Sequence, residues 1–146
     1  MTTTAPIADA RAVGLAHYAA RGVLETVLAR HGLTFLQQNV LRAVAAEPSP
    51  AADEAVARVV GTLKADPADI RAALDALTGR GLVAADGPVL RATAAGRELL
   101  DTTAAQVAPA GARIWGGIPA EDLAAAGRVL ALVTERANAE LARLGG

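Results

Sequence analysis

Apolar positions recur at three- and four-residue steps along most of the chain, the spacing of helices with one buried side. From Ile7 to His31 no proline intervenes, and Val13, Ala16, Ala20, Val23, Leu24, Val27 and Leu28 fall on one stripe. This predicts a long amphipathic helix stopped at Gly32. Thr34 is placed to cap a second helix with Phe35, Leu36, Val40, Leu41 and Val44 on its apolar side, and Glu47-Pro48-Ser49-Pro50 reads as the loop that ends it. Val56, Val59, Val60 and Leu63 form a third stripe, with Asp53 and Glu54 where acids favour a helix start and Lys64 at the far end.

Asp66 followed by Pro67 predicts an N-cap with proline at the first helical position, opening a fourth helix with Ile70, Ala73, Leu74 and Leu77 inside. Gly79-Arg80-Gly81 closes it. Leu82-Val83-Ala84 and Val89-Leu90-Arg91 then flank Ala85-Asp86-Gly87-Pro88, and Asp-Gly at a tip signals a hairpin. Thr93 is placed to cap a fifth helix through Leu99, Leu100 and Val107, which Pro109 is expected to kink or end by clashing with the carbonyl of Ala105. A last helix opens near Pro119, with Glu121 and Asp122 in its first turn, and carries Leu123, Val129, Leu130, Val133, Ala137, Leu141 and Leu144.

Composition supports a helical body, because about a quarter of the 146 residues are Ala, the best helix former. A 53% hydrophobic and 20% charged chain of this length has room for a real core. Aromatics are only 2%, with single Trp115, Tyr18 and Phe35, so stacking platforms and aromatic cages are poorly supplied. The absence of cysteine excludes disulfides, thiolate metal sites and thiol nucleophiles. Met1 to Ala10 show no basic stretch leading into an apolar one, and no run approaches the roughly 18 apolar residues of a membrane span, so no membrane association and a cytoplasmic location are expected.

Three helices and a small hairpin, with the third helix entered through a tight turn, is the order of a winged helix-turn-helix. Several stretches resemble the MarR family of bacterial transcription regulators. Leu33-Thr34 with Phe35 to Leu41 resembles the family's second helix, and Val59, Leu63, Asp66 and Ile70 match its spacing across the turn. Leu74-Asp75-Ala76-Leu77 leading into Arg80-Gly81-Leu82-Val83 resembles the exit of its recognition helix. Leu90 to Arg97, and Ile118-Pro119-Ala120-Glu121-Asp122-Leu123, are similar to its entries into the fifth and last helices.

The resemblance implies a mainly α fold with a short two-stranded β wing and long terminal dimerisation helices. Residues 1–32 would form the N-terminal dimerisation helix, 33–92 the DNA-binding lobe and 93–146 the C-terminal dimerisation helices. It also implies a homodimer on double-stranded DNA, acting as a repressor and often controlled by a small phenolic or aromatic carboxylate effector. The apolar surplus on the first and last helices agrees with an interface.

The candidate DNA-contacting residues are Ala68, Asp69, Arg71, Ala72 and Asp75 on the reading helix, Arg80 at its exit and Arg91 on the returning strand. Only Arg71 among the exposed reading positions is a good groove donor. Ala72 and Ala76 stand where family members often carry Arg, and the family's Asp-x-Arg wing signature is absent. The net charge is −1, and from Thr34 to Arg97 basic and acidic residues match one for one. A neutral lobe should bind DNA weakly or through a few well-placed arginines. Two readings therefore stand: an operator-binding regulator, or a related dimer that has lost operator binding and serves as a small-molecule-binding or protein-interaction module.

For an effector, the polar candidates are His17, Tyr18 and Arg21 on the first helix and Arg113 and Trp115 before the last. His17 and Arg21 share a helix face, where an imidazole and a cation could meet a carboxylate or phenolate. Against this, Arg21 also stands four residues before Glu25, the spacing of an ion pair, and Tyr18 and Trp115 suit a dimer core. No cofactor and no metal are expected, since His17 and His31 would stand about 21 Å apart on one helix. No nucleophile, P-loop or dinucleotide motif points to an enzyme.

Overall fold

The computed structural model describes residues 4–145. Their order is α1 (Ala10–Ala29), α2 (Phe35–Ala45), α3 (Ala52–Leu63), α4 (Pro67–Gly79), β1 (Val83–Asp86), β2 (Val89–Ala92), α5 (Ala94–Trp115) and α6 (Ala120–Gly145). Residues through Ala110 pack as one unit and those from Gly111 on as a second. No helix among the described residues is long and apolar enough to cross a membrane.

Side-chain caps set most of the boundaries. The carboxylate of Asp9 accepts from the Ala12 amide at 2.8 Å, so α1 starts at Ala10 and Ile7 lies outside it, later than the apolar spacing predicts. At the other end α1 stops at Ala29, short of Gly32, because the chain folds back. Gly32 takes a φ of +66° and the Leu33 amide bonds to the Leu28 carbonyl. Thr34 and Gln37 form a reciprocal capping box on α2, and Asp66 accepts from the Ala68 amide at 2.7 Å ahead of Pro67 on α4, both as the sequence predicts.

The hairpin pairs Val83 with Ala92 and Asp86 with Val89, which leaves Gly87-Pro88 as a two-residue loop. The loop is therefore tighter than Ala85 to Pro88, with Gly87 at the positive φ that the first position of such a loop requires. The Leu90 amide bonds to the Pro50 carbonyl at 2.8 Å, pinning the wing to the loop before α3.

Thr93 caps α5 by accepting from the Gly96 amide at 3.1 Å. Of the two outcomes expected at Pro109, a kink or an end, the end does not occur, since α5 runs on to Trp115. Proline removes one ladder donor, while neighbouring turns keep theirs, and Ala108, Ala110 and Ala112 are strong helix formers around it.

The core of the first unit is built by α2, α3 and α4, with Leu28 and Leu33 entering from the end of α1 and Leu82, Val83 and Ala92 from the wing. α2 contributes Val40, Leu41 and Val44, and α4 contributes Ile70, Ala73, Leu74 and Leu77, the apolar sides read from the sequence. Burying each large side chain stabilises the fold by about 1.5–3 kcal/mol. Gly96 is buried against this core where a Cβ would collide with the Leu82 carbonyl, so α5 can approach the wing only through glycine. In α6, by contrast, no residue is buried.

Candidate nucleic-acid interface and effector cleft

Because Ile70, Ala73, Leu74 and Leu77 turn inward, α4 presents its other side as one strip. Ala68, Asp69, Arg71, Ala72, Asp75 and Ala76 are all exposed on it. Pro67 at N1 and the Asp66 cap start the helix, so its first turns carry the candidate reading positions. The strip holds two acids, Asp69 and Asp75, and a single cation, Arg71.

The arginines around this strip are in very different situations. Arg71 Nη2 donates to Asp53 Oδ1, in the first turn of α3, at 2.9 Å. Arg80, at the C-cap of α4, donates from Nη1 to the Gly32 carbonyl at 3.1 Å and from Nη2 to the His31 carbonyl at 3.0 Å. Its guanidinium thus joins the exit of α4 to the turn after α1. Arg97 reaches Glu47 at 3.4 Å. Arg91 is exposed on β2 opposite Ala84 and has no ion-pair partner among the described residues. The Asp53 and backbone partners were invisible in the sequence, since they lie far along the chain and only the packing of α3, α4 and the α1–α2 turn brings them close.

A second feature lies in the same unit. His17 and Arg21 of α1, Phe35 and Leu36 of α2, and Thr62, Leu63 and Ala65 at the end of α3 line an open cleft of about 340 Å³. The Arg21 guanidinium carbon sits 4.2 Å from the centroid of the Phe35 ring, a cation–π contact, and Arg21 Nε donates to Glu25 at 3.0 Å. The Glu25 pairing is the one that the sequence spacing offered. His17 meets the Phe35 ring nearly edge-on at 6.5 Å and lies 5.5 Å from the ring of Tyr18, which is 70% exposed. The cleft thus offers an imidazole and a guanidinium already paired with Glu25 over apolar walls, a lining on which an apolar or aromatic body can rest.

Of the five effector candidates, His17 and Arg21 line the cleft and Tyr18 flanks it, whereas Arg113 and Trp115 belong to the second unit, where Trp115 is exposed. Phe35, Leu36 and the Thr62–Ala65 corner escaped the sequence reading because they register there as core stripes and a helix end. Among the described residues no group of three or more His, Asp or Glu side chains could hold a metal ion. His31 lies beyond the end of α1, with its Nε2 2.8 Å from Gln106 Oε1.

These elements define a winged helix-turn-helix protein, with α3 and α4 as the helix pair and β1–β2 as the wing. No protein-family model and no curated protein matches the sequence. Solved structures do. CouR from Rhodococcus jostii RHA1 bound to p-coumaroyl-CoA is 27% identical, with a TM-score of 0.68 over 84% of this chain and 88% of that one. A MarR-family transcriptional regulator from Rhodococcus sp. RHA1 is 25% identical, with a TM-score of 0.69 over 84% and 90%. A transcriptional repressor, CouR, is 26% identical, with a TM-score of 0.70 over 85% and 90%. The chain is a winged-helix protein of the MarR-family fold, as those sequence stretches indicated.

Proposed function

We propose that the protein is a homodimeric, sequence-specific DNA-binding transcriptional regulator, a repressor acting in the cytoplasm, whose hold on DNA is controlled by a small aromatic or phenolic anion. The observation that carries this reading is the exposed α4 strip set beside the pinned wing, which leaves Arg71 and Arg91 on the surface of the lobe. The α4 residues Ala68, Asp69, Arg71, Ala72 and Asp75 would face base edges in the major groove, and Arg91 a phosphate. Arg80 would act from behind by holding the exit of α4.

Dimerisation is supported by apolar side chains that each unit leaves uncovered: Val13, Leu15 and Val23 on α1, and Leu123, Val129, Leu130, Leu132, Val133, Leu141 and Leu144 on α6. The 1–32 and 93–146 segments are accordingly read as dimerisation elements around a 33–92 lobe. Effector control is supported by the cleft at His17, Arg21 and Phe35 and by the p-coumaroyl-CoA held by the CouR neighbour. An effector acts by binding one dimer geometry better than the other.

A second reading, a dimer that no longer binds an operator and serves ligand or protein recognition, is favoured by one observation. Arg71, Arg80 and Arg97 are all engaged within the lobe, so these three must give up a partner to meet a phosphate. Fluorescence anisotropy with DNA flanking the protein's own gene, against a scrambled control at low and physiological salt, separates the two. The regulator binds its flanking DNA in preference to the control. Equal or no retention of both would favour the second reading.

A further inference from the structure

Asp53 is the partner of the one cation on the α4 strip. Its carboxylate stands in the first turn of α3 and accepts from Arg71 Nη2 at 2.9 Å, with side chains 87% and 54% exposed respectively. An ion pair this exposed adds little to stability. Its consequence is positional: it biases where the guanidinium of Arg71 rests before any nucleic acid arrives, and it places a negative charge beside the residue that must meet a polyanion.

A guanidinium in this state has two routes onto DNA. A backbone phosphate must displace Asp53 while also approaching its charge, so the exchange of one anion for another gains little. A guanine edge offers two acceptors, O6 and N7, in the planar spacing that a guanidinium matches, and carries no net charge for Asp53 to repel. Basic and acidic residues of the lobe are equal in number, so no surplus of positive charge offsets the acid.

We propose that Asp53 is a specificity-determining residue that holds Arg71 away from the DNA backbone and releases it to a base edge. The inference rests on the DNA-binding reading above. Asp53 is a positioning residue in this scheme, acting through Arg71 and not by touching DNA. Its carboxylate lowers the hold on random sequence more than the hold on a preferred site, and so widens the ratio between them.

The test uses the full chain and two short duplexes, one of random sequence and one enriched from a random library by the wild-type protein. Asp53→Asn should bind the random duplex about fivefold more tightly, with a salt slope steeper by about 0.9, as for one added phosphate contact. The enriched duplex should gain less, so the ratio falls, and Asp53→Glu should restore it. On an Arg71→Ala background Asp53→Asn should change nothing. An equal gain on both backgrounds would show only the field of the acid and would overturn the proposal. Wild-type binding that Asp53→Asn leaves unchanged overturns this inference alone. If neither chain binds either duplex at low salt, the DNA-binding reading falls with it. Matching urea midpoints for the variants exclude a folding effect.

Discussion

The guanidinium of Arg80 donates to the main-chain carbonyl of His31 at 3.0 Å, tying the C-cap residue of α4 to the turn that ends α1. A second bond, to the Gly32 carbonyl, makes the grip two-pronged. These carbonyls follow the end of a helix, where acceptors lack intrahelical donors and attract cations.

Arg80→Ala should therefore destabilise the fold by about 1–2 kcal/mol, less than two fully buried charged hydrogen bonds because the site is solvated. Urea denaturation would show it as a lower midpoint at constant slope. An unchanged midpoint would mean that the grip contributes nothing.

Gly96 carries a sharper steric demand. A Cβ there would strike the Leu82 carbonyl and press on Leu41 Cδ1 at 3.3 Å, and the Leu82 carbonyl already accepts from the Thr93 amide. Neither backbone partner can give way without loosening the joint between wing and α5. Gly96→Ala should cost about 1–3 kcal/mol, as overpacking does, even though alanine is the better helix former. Thermal unfolding that rises on this substitution would contradict the packing.

Arg91 is exposed on β2 without an ion-pair partner among the described residues, so it is available to a phosphate. Arg91→Ala should weaken binding to every sequence alike and make the salt slope shallower by about 0.9. A loss confined to one sequence would assign Arg91 to base reading instead.

The uncovered apolar side chains of α6 include Leu130 at 44% and Val133 at 49% exposure. Sedimentation velocity should find the wild type at twice the 14.7 kDa chain mass, and Leu130→Asp with Val133→Asp should shift it to monomer. A dimer that survives both substitutions would place the interface elsewhere.

Most of the helix and strand order could be read from local chemistry. Thr34 with Gln37, Asp66 with Pro67, and Thr93 act on amides two or three residues away, so their effect is written in neighbouring positions. The inward sides of α2 and α4 follow equally from helical spacing, and the exposed strip of α4 is their complement. Where local signals compete, the helix bounds depart from the apolar spacing. Asp9 moved the start of α1 past Ile7, and the alanines around Pro109 carried α5 through a residue that usually stops a helix.

The state of each arginine was decided elsewhere. Arg71, Arg80 and Arg91 look alike as a charge count, yet one meets a carboxylate from α3, one grips two carbonyls after α1, and one has no ion-pair partner among the described residues. The cleft is of the same kind, since Phe35 and the end of α3 join His17 and Arg21 only after α1 and α3 pack on α2. Helical period and caps depend on neighbours within about a turn. A guanidinium's partner depends on which distant backbone comes within 3 Å of it, and only the packed chain sets that distance.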